Sequence, residues 1–242
     1  MKKINVTVWN EFGEDQSSPA VTGIYPQGMH VTIAEFLNKD EGISAKTATL
    51  AEAEHGLTES VLGNTDVLIW WGHLHHHKVE DHIAARVVEN VQRGMGMIFL
   101  HSAHMAKPFL RLLGTSGSLC WREANERTRI WTCAPAHPIA EGIPEQFVLE
   151  HEEMYGEPFG IPEPQQTVFL SWFQGGNVFR SGVTFQRENG RIFYFQPGHE
   201  THPTYHHELI QRIVTNAVKW ANPVIRTAPF GCPKVQPLEL LP

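Results

Sequence analysis

Cysteines are few and widely spaced, and no long apolar run is present. The three cysteines are Cys120, Cys133 and Cys232, and none belongs to a C-x-x-C pair. This spacing predicts neither a disulfide framework nor a thiolate zinc site. No apolar run reaches the roughly 18 residues of a membrane-spanning helix, and the opening MKKINVTVW has no apolar segment of signal-peptide length. We therefore expect a cytoplasmic protein with no membrane partner.

An excess of positive charge and the common catalytic motifs are also missing. Lys and Arg total 19 against 26 Asp and Glu, for a formal net charge of −7. Proteins that bind nucleic acid usually carry a basic face, so we expect no nucleic-acid partner. There is no H-E-x-x-H helix, no G-x-S-x-G turn, no phosphate-binding loop and no G-x-G-x-x-G fingerprint. We therefore expect no nucleotide cofactor and none of the common hydrolase sites.

Strand and helix patterns alternate through the first half of the chain. β-branched and continuous apolar runs predict strands, whereas Val79, Ile83, Val87 and Val91 recur at every fourth residue and predict a helix. Strands and helices in alternation predict an α/β fold with a mostly parallel sheet and helices on both faces. The predicted strands are 4–9, 46–50, 66–71 and 96–100, and a further helix is predicted over 29–38.

The second half is richer in strand patterns. Residues 121–133 suggest a hairpin-like pair, and turn signals separate later strands over 167–173, 177–186 and 191–196. A last helix is predicted over 204–221. With no repeat and no linker, residues 1–222 are expected to form one domain. Residues 223–242 carry five prolines; we expect this tail to lie over the body or to reach a neighbouring subunit of a homo-oligomer.

Polar side chains follow several predicted strands at the point where each strand ends. Ligands of open parallel sheets bind beyond the carboxyl ends of the strands, which share one edge. We therefore expect these groups to converge, with His101 and His199 in one cleft. The groups are Asn10-Glu11, Gly72-His73, His101-Ser102 and Gly198-His199-Glu200.

The 15 histidines do not all carry the same weight. His101 directly follows four apolar residues, so it should be partly buried, and a buried imidazole needs partners for its polar atoms. His30 at a predicted helix start is expected to be a cap or a surface residue rather than a ligand. The histidines along the last helix, His202, His206 and His207, suit the surface.

Five short motifs carry a resemblance to a known family. They are WWGH at 70–73, LHSAH at 100–104, HPI at 137–139, EEMYGEPF at 152–159 and PGHE at 197–200. Their order and spacing over roughly 4–222 resemble the ThuA family, the trehalose-utilization proteins. The resemblance implies a flavodoxin-like doubly wound sheet, like that of class I glutamine amidotransferases. It also implies a role in the catabolism of trehalose or related disaccharides through 3-keto sugars.

The amidotransferase comparison accounts for part of the pattern. In those enzymes the nucleophilic cysteine sits on the turn after the strand that corresponds to 96–100, and a late strand delivers a histidine and a glutamate. Here His101 or Ser102 occupies the turn, and His199 and Glu200 follow the late strand. Since a thiolate is the nucleophile that such chemistry needs, we expect no glutaminase activity.

The expected site combines one carboxylate with two imidazoles. His101, Glu153 and His199 are the candidate catalytic residues, and Glu153 is preferred to Glu152 because alternate residues of an extended segment face opposite ways. Trp172 and Phe173, together with Trp71, offer apolar faces to a sugar ring, with core packing as the other interpretation. The candidate substrate-binding residues are Trp71, His73, Ser102, His104 and Glu200.

Two kinds of chemistry remain open for this site. Imidazole and carboxylate ligands suit zinc or another first-row divalent ion, with His101, Glu153 and His199 as ligands and His30 and His73 in reserve. The same groups suit general acid–base work on a hydroxyl or carbonyl of a sugar without a metal. A third interpretation is a non-catalytic sugar-binding or regulatory protein that has lost amidotransferase chemistry.

Overall fold

A single nine-stranded sheet runs through the protein, which a computed structural model describes over residues 2–13, 17–229 and 231–240. The strands are β1 (Ile4–Asn10), β2 (Ile43–Thr49), β3 (Val67–Trp71), β4 (Gly96–Leu100), β5 (Cys120–Thr132), β6 (Gln146–Gly156), β7 (Gln166–Phe173), β8 (Val178–Arg187) and β9 (Gly190–Phe195). The α-helices are α1 (Pro19–Thr22), α2 (Met29–Leu37), α3 (Glu59–Gly63), α4 (Asp81–Gln92), α5 (Lys107–Leu113) and α6 (Glu208–Ala221).

Half of the sheet is parallel, in the order β2-β1-β3-β4-β9. This is the flavodoxin-like order, with each strand's carboxyl end at the same edge. Every residue of β3 and β4 is buried, as expected for strands covered by helices on both faces. The sequence-based prediction of a doubly wound α/β fold is confirmed.

Two apolar cores lie on opposite faces of this parallel half. One packs α1, α2 and α6 against alternate strand residues such as Ile69 and Ile98. The other packs α3, α4 and α5 against the intervening residues, such as Leu68 and Phe99. The alternation follows from the two-residue period of a strand, so both faces of β3 and β4 must be apolar.

Strands β8, β7, β5 and β6 extend the sheet from β9 in antiparallel fashion. The prediction of a hairpin-like pair over 121–133 is wrong: β5 is one long strand that pairs with β6 on one side and β7 on the other. Asn125 lies in the left-handed region at φ 53°, and the register with β6 shifts between Arg122 and Thr128. The polar residues around Asn125 therefore bend the strand and do not reverse the direction of the chain.

The last helix is shorter than its predicted range. Residues Thr204–His206 form a 3-10 turn, and α6 begins at Glu208, where the His207 side chain accepts a hydrogen bond from the Leu209 amide. After α6, Arg226 at the start of the Pro-rich tail donates hydrogen bonds to the body of the protein. Its acceptors are the backbone oxygens of Leu62 and Thr65 and the side chain of Asn90. None of the helices in the described ranges is long and apolar enough to cross a membrane.

A substitution at the start of β4 would test how closely α6 packs on the sheet. A Cβ added at Gly96 would lie 2.4 Å from the backbone oxygen of Ala221. We expect Gly96→Ala to lower the free energy of unfolding by roughly 1–3 kcal/mol, because backbone must move to make room. The matched control is Gly63→Ala, whose Cβ meets nothing within 4 Å and which should leave stability unchanged or raise it by up to about 1 kcal/mol. Urea unfolding measures both, and equal effects would contradict the packing described here.

Candidate functional site

The turn that follows β4 places His101 at the carboxyl edge of the sheet. His101 has a φ of 52°, in the left-handed region that residues other than glycine and asparagine rarely adopt. The chain turns sharply there into the 3-10 segment His101–Met105. The Tyr194 hydroxyl donates a hydrogen bond of 3.0 Å to the His101 backbone oxygen. The imidazole is completely buried, so its two nitrogens depend on protein partners.

Those partners fix which nitrogen of His101 faces the site. Nδ1 lies 2.8 Å from the backbone oxygen of Gln196, just beyond the end of β9. A carbonyl oxygen only accepts hydrogen bonds, so Nδ1 carries a proton. Nε2 then faces the Oε2 oxygen of Glu153, 2.9 Å away. This oxygen is buried, and Nε2 of His101 is its charged neighbour whenever that nitrogen carries a proton.

Glu152 and Glu153, neighbours on β6, have different environments. The Glu152 side chain is fully buried and accepts hydrogen bonds from the amides of Gly198 and His199, at 3.0 and 3.3 Å. It also accepts one from the Thr204 hydroxyl at 3.0 Å. Glu152 therefore fixes the loop that carries His199, while Glu153 faces His101. The expectation that Glu153 is the residue of the pair that joins the histidines is in agreement with this geometry.

His101 and His199 lie side by side, as predicted, although His101 is fully buried and only His199 lines the cavity next to them. Their ring centroids are 5.4 Å apart, nearly perpendicular to each other. One ligand atom from each of His101, Glu153 and His199 lies within 4.8 Å of the others, and all three side chains are buried. No other group of this kind occurs in the described ranges.

His199 has two hydrogen-bonding arrangements open to it. Its Nδ1 lies 2.8 Å from the hydroxyl of Thr201, which accepts or donates, and the Thr201 amide also points at Nδ1 from 3.3 Å. A proton on Nδ1 donated to the hydroxyl leaves Nε2 free as a ligand. A bare Nδ1 that accepts from the amide leaves the proton on Nε2. The local structure therefore permits a metal-binding tautomer without imposing it.

Electrostatics set the charges of the three groups. Burial alone would lower the pKa of His101, but the contact with Glu153 and its negative charge outweigh burial and raise the pKa to about 9. Burial would raise the pKa of Glu153, yet the same contact holds it below its usual value. Burial and the neighbouring His101 lower the pKa of His199 to about 3. Without a metal, neutral pH therefore gives an imidazolium–carboxylate pair beside a neutral imidazole.

A cavity of about 500 Å³ opens above this group. Of the expected substrate-binding residues, His73, Ser102 and His104 line it. The Ser102 hydroxyl lies 2.8 Å from Nδ1 of His73 and 2.9 Å from the hydroxyl of Tyr155. The full lining is His73, Leu74, His76, Ser102, His104, Met105, Ser118, Leu119, Trp121, Glu123, Glu153, Tyr155 and His199.

The other expected site residues lie outside the cavity wall. The expectation that Trp71 offers a stacking face is corrected, because its side chain is fully buried and donates a hydrogen bond to the backbone oxygen of Gly198. Phe173 is likewise core, and Trp172 is exposed on another surface. Glu200 is buried behind the wall, 3.9 Å from Nε2 of His73.

The reserve ligand His30 is not part of the candidate site either. It is buried on α2 against Phe12, with ring centroids 4.9 Å apart. It does not line the cavity and does not belong to the group of potential metal ligands. The start of α2 therefore packs His30 into the body of the protein, away from His101.

Several residues of the site escaped sequence reasoning. Tyr155, whose hydroxyl lies 3.4 Å from Nε2 of His101, could have been found, because it shares a strand face with Glu153. Trp121 lies directly opposite Tyr155 in the β5–β6 pair. This pairing joins segments far apart in the chain, so no local pattern predicts it.

Structural comparison places the fold among known proteins. A ThuA-like protein from Parabacteroides merdae is similar with a TM-score of 0.70 and 15% identity, over 95% of this chain and 93% of the other. One from Bacteroides uniformis gives 0.66 and 15%, over 91% of each chain. A GMP synthase protein from Thermoplasma acidophilum gives 0.56 and 12%, over 90% and 94%. These identities show a shared fold and nothing finer.

Sequence comparison agrees with the structural one. A search of the curated proteins found no match to the chain. The model of a family described as trehalose utilisation matches residues 5–221, nearly the whole chain. On that match, which includes His101, Glu153 and His199, the protein belongs to the ThuA family.

Proposed function

We propose that the protein is an enzyme that processes trehalose or a related disaccharide, including its 3-keto derivative, with a divalent ion held by His101, Glu153 and His199. Zinc is the ion that this donor set favours, since imidazole with carboxylate suits first-row divalent metals and Mg²⁺ or Ca²⁺ prefer oxygen alone. The observation that carries the proposal is the convergence of the three ligand atoms within 4.8 Å. The family's link to trehalose utilisation supports the sugar substrate.

Each of the three groups suits an ion. The Glu153 oxygen nearest His101 is buried, and a buried carboxylate needs a charged partner, so an ion would take the place of the His101 proton beside it. His101 donates its other ring proton to a backbone carbonyl, the arrangement that orients histidine ligands in metal sites. Three protein ligands would leave a position open toward the cavity for a sugar oxygen.

The residues around the group would divide the remaining work. A bound ion would polarise a carbonyl or hydroxyl oxygen of the sugar. The hydroxyls of Ser102 and Tyr155 and the imidazole of His73 form a hydrogen-bonded chain beside the open position. These groups would hold or move a proton at the sugar, since each both donates and accepts. The buried side of the cavity would exclude water from the reacting atoms.

A metal-free mechanism is the second candidate, and one observation favours it. His101 and Glu153 lie 2.9 Å apart as a charged pair, since the pKa of His101 rises to about 9. Such a pair can serve as a general acid and a general base without an ion. A sugar-binding or regulatory protein without turnover would use the same cavity, so binding of a sugar alone does not separate it from an enzyme.

The first test concerns metal content. We expect protein purified without a His-tag or chelator to carry or take up one zinc per chain, measured by elemental analysis and by titration calorimetry. His101→Ala and Glu153→Gln should weaken zinc binding by about 100-fold or more, because each removes a ligand. The control is His82→Ala, a largely exposed histidine on α4, which should bind zinc like the wild type.

The same proteins separate the two mechanisms. Turnover of 3-keto-trehalose should disappear together with zinc in His101→Ala and Glu153→Gln, with circular dichroism unchanged. A wild-type protein that turns over the sugar but neither holds nor takes up zinc would rule out the metal centre and leave His101 and Glu153 as an acid–base pair. A protein that binds the sugar without turnover, with or without zinc, would leave the binding role.

The second test is the pH dependence of zinc affinity. His101 has a pKa of about 9 in the metal-free protein, so an ion must displace its proton at neutral pH. Affinity should rise about tenfold per pH unit from pH 6 to 8, and keep rising toward 9. An ordinary histidine ligand would place this dependence near a pH of about 6.5, and the contact with Glu153 moves it upward. In Glu153→Gln the dependence should shift to lower pH, because only the smaller effects of the Glu152 charge and the Gln196 hydrogen bond then oppose burial at His101. An affinity independent of pH over this range would contradict the charged pair.

The third test concerns the amidotransferase ancestry of the fold. The residue at the turn after β4 is His101, and the cysteines at 120, 133 and 232 are exposed and lie elsewhere. We expect no ammonia release from glutamine, because no thiol stands at the turn. An enzyme-coupled ammonia assay measures this. Activity that survives replacement of all three cysteines would show a nucleophile that this site does not provide.

A further inference from the structure

The cavity beside the candidate metal ligands is lined by polar and apolar side chains together. The polar ones include the imidazoles of His73, His76 and His104 and the hydroxyls of Ser102, Ser118 and Tyr155. The apolar ones are Leu74, Met105, Leu119 and Trp121. A ligand that fits must therefore offer both hydrogen-bonding groups and an apolar face.

The charges of the lining limit what that ligand can carry. Among the described residues no lysine or arginine lines the cavity, and its carboxylates are Glu123 and Glu153. Burial lowers the pKa of His76 and of His104 to about 4, so both imidazoles are uncharged at neutral pH. Phosphates and carboxylates bind where Arg or Lys pairs with them. The lining therefore suits an uncharged, hydroxyl-rich ligand.

Trp121 is the most exposed tryptophan of the described chain, at 65%. It lies directly opposite Tyr155 across the β5–β6 pair, and residues paired in this way project to the same face, about 5 Å apart at Cβ. The Tyr155 hydroxyl in turn lies 3.4 Å from Nε2 of His101. Tyr155 therefore lies between His101 and Trp121, and the exposed indole of Trp121 lies at the cavity mouth.

Two other apolar residues of the cavity lining are also exposed. Leu74 is 55% exposed and Met105 is 43% exposed, and both line the same cavity. Exposed apolar side chains grouped at a cavity indicate a ligand that covers them. The C–H face of a pyranose ring matches an indole surface in size and polarity, while its hydroxyls remain free for the imidazoles of the lining.

We propose that Trp121 is a specificity-determining residue that stacks on the second ring of an uncharged two-ring sugar, whose first ring lies at His101, Glu153 and His199. The position of the first ring rests on the proposed function. The stacking of the second ring and the preference for an uncharged sugar rest on the lining alone. Trp121 takes no part in the chemistry; it selects two-ring sugars over single-ring ones.

The test compares three probes by titration calorimetry: trehalose, glucose and trehalose 6-phosphate. The proteins are the wild type, Trp121→Ala and Trp121→Phe, with Trp131→Ala as the control. Trp131 is 40% exposed but does not line the cavity. We expect Trp121→Ala to weaken trehalose binding about tenfold or more, and Trp121→Phe to retain most of it. Glucose affinity and zinc content should be unchanged in Trp121→Ala, and the 6-phosphate should bind more weakly than trehalose to every protein.

Three outcomes would overturn the inference. The first is a trehalose affinity that is unchanged in Trp121→Ala, and the second is equal or tighter binding of the 6-phosphate by the wild type. The third is a change in the sedimentation of Trp121→Ala with sugar binding intact, which would assign this face to a second copy of the chain. Failure of the proposed function is separate. If the wild type binds no zinc and turns over no sugar, yet trehalose binding still depends on Trp121, the recognition stands without the chemistry.

Discussion

The hydrogen bond from Nδ1 of His101 to the backbone oxygen of Gln196 is the contact on which the rest of the site depends. It joins the carboxyl ends of β4 and β9, which are adjacent parallel strands. It also fixes the tautomer of a buried imidazole, so that Nε2 must face Glu153. Both candidate chemistries start from that orientation, because a ligand and an acid each need Nε2 at the same point.

The two adjacent carboxylates of β6 have different roles, one in positioning a loop and one in the candidate site. Glu152 is enclosed by amide and hydroxyl donors from the loop that carries His199. These donors replace the water that burial removes, which is why an acidic side chain can be fully buried there. Glu153 has no such donors on the oxygen that faces His101. Because successive residues of a strand face opposite ways, Glu152 positions His199 and Glu153 completes the group of potential ligands.

The sequence was most informative where local pattern and topology coincide. The predicted strand 96–100 matches β4, and the rule that parallel strands end at one edge correctly predicted that His101 and His199 meet. Strand alternation favoured Glu153. The place of Trp121 in the cavity lining was not predictable, because Trp121 joins the site through a β5–β6 pairing between distant segments. The expectation that Trp71 stacks on a sugar was wrong, because an aromatic residue at a strand end gives the same sequence pattern whether its side chain faces a ligand or the core.

At the turn after β4, the backbone conformation does not determine which side chain supplies the chemistry. The overall fold is shared with the GMP synthase protein at 12% identity, and in this chain the turn holds a residue at positive φ that projects into the site. Occupied by imidazole, that position offers a lone pair or a proton on Nε2, but never both. Glu153 stabilises the proton when no ion is present and would stabilise an ion once the proton has left. A proton and a divalent ion would therefore compete for one atom, and the two candidate mechanisms differ in which of them occupies Nε2.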